Sequence, residues 1–416
     1  MGIVVKKFGG TSVESIDKIA KIAEHLAFEK EKGDDIVVVV SAMGKTTDSL
    51  FKLAYEITKT PNQREMDMLL TAGERITMAL LSLSLQKLNI QSISFTGSQS
   101  GIVTDNTHGN AKILTVNAFR ISEELQKGRI VIVAGFQGVS LEKEITTLGR
   151  GGSDTTAVAL ASFLQADRCE IFTDVDGVYN ADPNIISEAK KIDELSFEEM
   201  LYLSCTGAKV LHSRAVEFAY KYKMPIEVKS LLSTHCSGLS HKSLDTSEEK
   251  LSATRLAPTK GTTIKGENNM ENVEKTMIKA ISQKENIRIF DVIISNKDIP
   301  IFNTEIFDID VYTSVSEPFW INKARVFIEE KYNEKFIEEL STNNLTFNLE
   351  NDEFTVINLL GYRINRDITF LSKMYSFIKN NCEKPISIKN QGIGVQLIIE
   401  QTEAKKVIEY LNREYL

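Results

Sequence analysis

The first segment with a clear structural meaning reads Ile3-Val4-Val5-Lys6-Lys7-Phe8-Gly9-Gly10-Thr11-Ser12-Val13. Its apolar run predicts a buried β-strand, and the amphipathic stretch after it predicts a helix over Thr11–Phe28. The glycine pair lets the backbone approach a ligand closely, and N–H groups at the start of a helix attract anions. Lys7 adds a mobile full charge. This strand–turn–helix unit suits phosphate binding, although an ordinary structural turn fits Gly9 and Gly10 about equally well.

The bulk properties of the chain are those of a globular protein with two or three domains, because 416 residues exceed one typical domain. A net charge of −8 argues against a nucleic acid or an anionic membrane as partner. No apolar run reaches the roughly 18 residues of a membrane span, and no signal peptide is evident. The four cysteines form no C-x-x-C pair, and the five histidines lack metal-ligand spacing. We therefore expect a cytoplasmic protein without a zinc site.

Apolar runs alternate with helical patterns in the first part of the chain, which predicts an α/β fold with a mostly parallel central sheet between helical layers. The predicted strands are Ile3–Val5, Ile36–Val40, Ile90–Phe95, Ile130–Ala134, Glu170–Phe172 and Ile226–Lys229. The predicted helices are Thr11–Phe28, Thr47–Ile57, Arg64–Leu88, Val116–Gln126 and Thr155–Leu164.

Composition divides the chain near residue 266, since 20 of its 23 glycines lie at or before that position. We predict a ligand-binding domain over residues 1–265, with an exposed connector at about 232–250. Two smaller α+β blocks are predicted over 275–350 and 351–416, of which the first is divergent. The second is the more regular and contains the predicted helices Asp367–Asn380 and Glu403–Tyr410 around the strand Gly394–Ile399.

Several polar motifs follow predicted strands. Ser41–Thr46 ends in Gly-Lys-Thr but is no P-loop, since Val39 stands where that motif needs glycine. Leu148–Asp154 is a glycine-rich turn with Arg150 and Asp154 four residues apart. Such a pair suits a zwitterion, because arginine binds a carboxylate and a carboxylate holds an ammonium. A structural salt link is the alternative there, and Glu74 is either a second ammonium anchor or an ordinary solvated or arginine-paired glutamate.

A further group of polar residues suits a nucleotide with bound Mg²⁺. Thr173–Tyr179 combines a strand end, carboxylates and an aromatic ring, and Asp182 lies shortly beyond it. Lys209 follows at a Gly-Ala turn, where a lone lysine is more often merely solvated.

These motifs occur in the order and at roughly the spacing found in the aspartokinases, so residues 1–230 resemble that branch of the amino-acid kinase superfamily. The resemblance implies an amino-acid kinase fold followed by tandem ACT-like regulatory domains. It implies catalytic roles for Lys7, Gly10, Ser153 and Asp154, and L-aspartate binding by Thr46, Glu74, Phe136, Arg150 and Asp154. The ATP-binding set implied is Lys7, Gly9, Gly10, Ser12, Thr173, Asp174, Tyr179, Asp182 and Lys209. No side chain is assigned as a metal ligand.

The implied reaction is ATP- and Mg²⁺-dependent phosphorylation of the β-carboxylate of L-aspartate, giving 4-phospho-L-aspartate, the first step towards lysine, threonine and methionine. The resemblance also implies a homodimer or higher oligomer, with lysine or threonine as effector at the ACT-like domains. The chain departs from the family at Asn184 and Ser213, where arginine and proline are usual. Pro300–Asp308 is short where a full ACT helix is expected, so the effector pocket is expected to be altered or lost.

Two other functions remain open from the sequence. One is an amino-acid kinase acting on a different acidic substrate in a specialised pathway, against which Glu74, Arg150 and Asp154 argue. The other is a non-catalytic regulatory homologue, against which the presence of Lys7, Asp154 and Asp182 argues.

Overall fold

The computed structural model of the chain describes residues 2–208, 210–231, 258–266, 277–293, 310–314, 323–362, 364–383 and 387–416. These residues form two compact units. The first contains the chain up to Val178, Lys191–Cys205, and residues 210–231 and 258–266. The second contains Tyr179–Lys190, Thr206–Ala208 and the described residues from 277 onwards.

The first unit has twelve strands in its described residues. They are β1 Ile3–Phe8, β2 Asp35–Val40, β3 Ser92–Phe95, β4 Ile102–Thr104, β5 Ile113–Val116, β6 Ile130–Ala134, β7 Gln137–Ser140, β8 Ile145–Thr147, β9 Arg168–Phe172, β10 Glu194–Ser196, β11 Ile226–Lys229 and β12 Thr262–Lys265. Eight form a central sheet in the order β10-β12-β11-β9-β1-β2-β6-β3, and β5-β4-β7-β8 form a smaller sheet. The central sheet is parallel except where β11 meets β12. This confirms the predicted α/β class, whereas the smaller sheet was not predicted.

The helices that begin in this unit are α1 Ile16–Glu31, α2 Thr46–Ile57, α3 Gln63–Leu70, α4 Ala72–Lys87, α5 Phe119–Gln126, α6 Gly152–Phe163, α7 Phe197–Thr206 and α8 Ser213–Tyr222. The predicted helix start at Thr11 was wrong. The side chain of Ser15 caps α1 by accepting a hydrogen bond from the Lys18 N–H, while Ser12 and Val13 lie in a turn whose N–H groups donate to Gly9 O. The glycine pair is therefore followed by a turn, and the helix begins five residues later than predicted.

The predicted helix Arg64–Leu88 is two helices, α3 and α4, joined at Thr71. By length and composition Gln63–Lys87 is the one stretch in the described part of the chain that could cross a membrane. However, α4 packs against α1, β3 and β6, and it buries Glu74. A buried carboxylate and this packing indicate a helix in the core of a globular unit.

The second unit is built on one antiparallel sheet. Its strands are β13 Met277–Ile293, β14 Asp310–Ser314, β15 Lys323–Glu329, β16 Phe347–Leu349, β17 Phe354–Tyr362, β18 Ser387–Gln391 and β19 Gly394–Glu400. They lie in the order β14-β15-β13-β17-β19-β18, with β16 also paired to β13. Its helices are α9 Asn333–Thr342, α10 Ile368–Asn381 and α11 Gln401–Tyr415.

The long strand β13 joins the two predicted ACT-like blocks, because it pairs with β17 through its first half and with β15 through its second half. The boundaries 275–350 and 351–416 stay a prediction. The helices and strands predicted for the second block are present in the structure as β17, α10, β19 and α11. The connector at 232–250 and Pro300–Asp308 lie outside the described residues.

Candidate functional site

The candidate site begins where the loops after β1 and β2 meet at the carboxyl edge of the central sheet. The Gly44 N–H donates to Gly10 O at 3.0 Å, and the Ser41 N–H donates to Phe8 O at 3.2 Å. A Cβ atom at Gly10 would lie 3.1 Å from Ala42 O. Glycine therefore lets the two loops approach closely, at the edge where parallel α/β sheets bind ligands.

Lys7 and Asp154 form an ion pair in this region, with 2.6 Å between Nζ and Oδ1. Lys7 is only 8% exposed and projects from β1, while Asp154 lies in the first turn of α6. The neighbouring Ser153 is also buried, and its Oγ would lie 2.8 Å from a Cβ atom at Gly135. The structure thus brings an ammonium, a carboxylate and a hydroxyl to the start of one helix.

Glu74 is a buried carboxylate beside the loop after β2. Its Oε1 accepts a hydrogen bond from the Ala42 N–H at 3.2 Å, and its Oε2 has no hydrogen-bond partner among the described residues. Burial raises the pKa of Glu74 to about 7, and the backbone N–H groups of Glu74 and Ala42 oppose this rise. Thr46 lies close by, since a Cβ atom at Gly73 would be 3.5 Å from its Cγ2.

Arg150 lies exposed between two glycines in left-handed conformations, Gly149 at φ +75° and Gly151 at φ +64°. A Cβ atom at Gly151 would lie 2.2 Å from the Cβ of His212, so glycine is required there for space as well as for conformation. This turn leads directly into α6 and hence to Asp154.

Phe136 packs at the start of α6, where a Cβ atom at Gly152 would lie 2.9 Å from its Cδ2. Its φ is +69°, a conformation that is uncommon for a bulky residue. The Phe136 N–H donates to Thr156 Oγ1 at 3.1 Å, and its carbonyl accepts from the Leu148 N–H at 2.8 Å. These bonds hold Phe136 in place against the strain of its backbone.

The residues proposed for nucleotide binding fall into two groups. Gly9 and Thr173 follow the neighbouring strands β1 and β9, and the Gly9 N–H donates to Phe172 O at 3.1 Å. Thr173 Oγ1 donates to Asp174 Oδ1 at 3.0 Å. All of these residues, with Ser12, belong to the first unit.

Tyr179 and Asp182 belong instead to the second unit. Asp182 Oδ1 accepts hydrogen bonds from the backbone N–H and the side-chain amide of Asn184, at 2.9 and 3.0 Å. The segment is joined to β13 by a bond from the Ile281 N–H to Asn180 O at 2.7 Å. Lys209 lies outside the described residues.

Two residues that lie near the Arg150 turn were not identified from the sequence. Asp67 on α3 and Arg214 on α8 both bond to the segments that frame this turn. No motif pointed to Asp67, whereas Arg214 lies only five residues after Lys209, which the sequence did single out. No three His, Cys, Asp or Glu side chains in the described ranges come together as metal ligands.

Comparison with known proteins identifies the family to which this chain belongs. A sequence model described as the amino acid kinase family matches residues 2–230. A curated aspartokinase of Geobacillus stearothermophilus is 56% identical over 230 residues, which are 55% of this chain and 56% of the relative. This chain thus spans about half the length of the curated relatives it matches.

Solved structures extend the similarity over both units. Aspartokinase III of E. coli, in complex with aspartate and ADP, is 21% identical with a TM-score of 0.73, and the match covers 98% of each chain. This match shows the fold alone. The aspartate kinase of Synechocystis is 30% identical with a TM-score of 0.54, and the match covers 99% of this chain and 68% of that one.

Proposed function

Because this chain belongs to the amino acid kinase family, within its aspartokinase branch, we propose that it uses ATP to phosphorylate the β-carboxylate of L-aspartate. The observation that carries this proposal is the ion pair of the buried Lys7 with the partly exposed Asp154 at the carboxyl edge of the sheet. It places a positive charge beside the glycine loop after β1, where a Cβ atom at Gly9 would lie 3.4 Å from Lys7 Nζ.

The proposed reaction depends more on charge neutralisation than on proton transfer. The acceptor carboxylate is already an anion at neutral pH, so no strong general base is needed. The difficulty is repulsion between two anions and the charge spread over the transferring phosphoryl group. Lys7 and the backbone N–H group of Gly10 would offset this charge.

ATP is proposed to lie over the ends of β1 and β9, with Gly9, Gly10, Ser12, Thr173 and Asp174 around it. For Tyr179, Asp182 and Lys209, ATP binding stays a prediction from the sequence. Mg²⁺ would enter with the phosphates, because it retains several waters and needs only one or two carboxylates from the protein. When bound, it would neutralise phosphate charge.

L-Aspartate is proposed to bind between the loop after β2 and the start of α6. Arg150 would bind the α-carboxylate as a planar fork, and Glu74 would hold the ammonium with its unpaired Oε2. Thr46, Phe136 and Asp154 complete the proposed set. The departures Asn184 and Ser213 lie outside this set, and we propose no role for them in phosphoryl transfer.

Initial rates of ADP formation with L-aspartate, L-glutamate and other dicarboxylic amino acids test this function. We expect L-aspartate to give the highest kcat/KM. A clear preference for another acid would favour the specialised kinase, and no turnover with any of them would contradict the proposal.

Glu74 gives the proposed site a pH dependence. Its pKa is about 7 because the side chain is buried, so raising the pH from 6 to 8 converts it to the anion that binds an ammonium. We expect the KM for L-aspartate to fall over this interval and the KM for ATP to stay constant. Glu74→Gln should raise the KM for L-aspartate and abolish its change with pH; an unaltered pH profile in this variant would contradict the assignment.

We further propose that the second unit is regulatory and ACT-like, with lysine or threonine as effector. The proposed product would then feed the synthesis of lysine, threonine and methionine in the cytoplasm, by a homodimer or larger oligomer. Rates titrated separately with lysine, threonine and methionine test this, since complete insensitivity would indicate that regulation has been lost.

A further inference from the structure

Asp67 is a fully buried carboxylate that no part of the proposed reaction uses. It lies on α3 with an exposed fraction of 0%. No lysine or arginine nitrogen in the described residues forms an ion pair with it, and its nearest ring partner is His108, whose Nδ1 lies 2.6 Å from Oδ2. A buried carboxylate is costly unless its oxygens are well hydrogen-bonded. Its partners therefore indicate what it does.

Those partners come from two different segments. Thr147 Oγ1 donates to Asp67 Oδ1 at 2.5 Å, and the Gly109 N–H donates to both carboxylate oxygens at 3.2 Å. Together with His108, these bonds fix residues 108–109 and the end of β8 on a single side chain. Thr147 is the last residue of β8 and stands three residues before Arg150.

The same two segments are also bonded to each other and to α8. The Ala111 N–H donates to Thr147 O at 2.8 Å. The guanidinium of Arg214 donates to the carbonyl oxygens of Leu148 and Ala111 and to Asn110 Oδ1. The turn that carries Arg150 thus rests on a hydrogen-bonded platform formed by residues 108–111, Thr147 and Leu148.

The exposed side chain of Arg150 does little to fix the position of the turn that carries it. It is exposed, and both neighbours are glycines with positive φ, which gain no side-chain packing. The backbone conformation at Arg150 therefore depends on this hydrogen-bonded platform. An error of about 1 Å in a substrate-binding group can cost on the order of 100-fold in rate.

From this arrangement we propose that Asp67, acting through Thr147 and residues 108–109, is a positioning residue that sets the affinity of the Arg150 turn for the substrate carboxylate. The inference rests on the proposed function, because it assumes that Arg150 binds L-aspartate. It assigns to Asp67 no contact with the substrate. Loss of the Asp67–Thr147 bond should consequently act on binding of the acidic substrate and leave ATP binding unaffected.

The hydroxyl of Thr147 allows a matched test. Thr147→Val removes the donor but keeps the shape of the side chain, and Thr147→Ser keeps the donor. We expect Thr147→Val to raise the KM for L-aspartate on the order of 10-fold, with kcat and the KM for ATP within about twofold of wild type. Thr147→Ser should restore most of the affinity.

A destabilised control separates positioning from stability. Ile22→Val shortens a core side chain on α1 and should lower the melting temperature without changing either KM. If Thr147→Val lowers the melting temperature but leaves the KM for L-aspartate unchanged, or if Thr147→Ser is as impaired as Thr147→Val, the inference is overturned. Should Thr147→Val fail to fold, Asp67→Leu takes its place, because it removes both acceptor oxygens at similar size, and the same KM shift is expected.

The two proposals fail in different ways. A wild-type chain that does not phosphorylate L-aspartate overturns the proposed function, and this inference with it. A wild-type chain that turns over L-aspartate while Thr147→Val or Asp67→Leu keeps the wild-type KM overturns the positioning role alone.

Discussion

Replacing Lys7 by methionine is expected to lower kcat on the order of 10³-fold while leaving the protein folded. Lys7 projects from the carboxyl end of β1, where its ammonium pairs with Asp154 at 2.6 Å. In the proposed reaction this ammonium stabilises the charge on the transferring phosphoryl group, and removing one such electrostatic group typically costs 10²–10³ in rate. Methionine keeps most of the apolar stem and removes only the charge. Initial rates at saturating L-aspartate and ATP measure the effect.

The unfolding transition supplies the control for this variant. Asp154 retains 13% side-chain exposure, so water can solvate its carboxylate once the ammonium is gone. We expect a small change in the urea midpoint beside the large loss of turnover. Turnover within a factor of ten of wild type would contradict the role given to Lys7.

Replacing the adjacent Lys6 by methionine is expected to have the opposite result: normal specific activity and a large loss of stability. Successive side chains of a strand point to opposite faces, so Lys6 lies on the other side of β1. It is 2% exposed, and it pairs with Glu170 and, at 3.2 Å, with Glu29. Removing one partner of a buried ion pair costs about 3–5 kcal/mol, because the other charge stays buried. Urea unfolding at pH 7 measures this loss.

Two further cations beside Glu170 reduce the loss of stability expected for Lys6→Met, so we expect it at the lower end of the range of about 3–5 kcal/mol. Lys229 Nζ lies 3.1 Å and Arg168 Nε 2.9 Å from Glu170 Oε1. Lys229→Met is a matched control, since it removes a more exposed ammonium from the same carboxylate and should cost less. A Lys6→Met variant as stable as wild type would show that the pair contributes no net stability.

Acid should reduce the difference between wild type and Lys6→Met. Burial alone would raise the pKa of Glu170, but the ammonium groups of Lys6 and Lys229 outweigh it and lower the pKa from 4.5 to about 2. A carboxyl whose pKa is lowered by folding stabilises the native state above its unfolded pKa, and this contribution is lost as the pH falls. The stability gap should therefore close between about pH 4.5 and pH 2. Urea midpoints measured across this interval test the expectation, and a constant gap would contradict it.

Much of the first unit could be predicted from local sequence, because its strands are continuous Val and Ile runs buried on both faces. β1, β2 and β6 follow this rule. The short strands of the smaller sheet escaped prediction, because a three-residue strand such as Ile102–Thr104 has too few residues to show a period. The start of α1 was misplaced, because the capping bond of Ser15 decides it and hydrophobic periodicity does not register such a bond.

Local sequence features were enough to predict the α/β class and the residue types of the candidate site, because glycines, lysines and carboxylates at strand ends are visible in short segments. Which of these groups come into contact depends on how the chain folds. The pairing of Lys7 with Asp154 joins residues 147 positions apart, and Lys6 differs from Lys7 only in the face of β1 that it occupies. Asp67 shows the same limit, since its bonds to Gly109 and Thr147 exist only after α3 has packed against β8. Contacts between distant residues follow from the register and packing of the folded chain, which no short segment encodes.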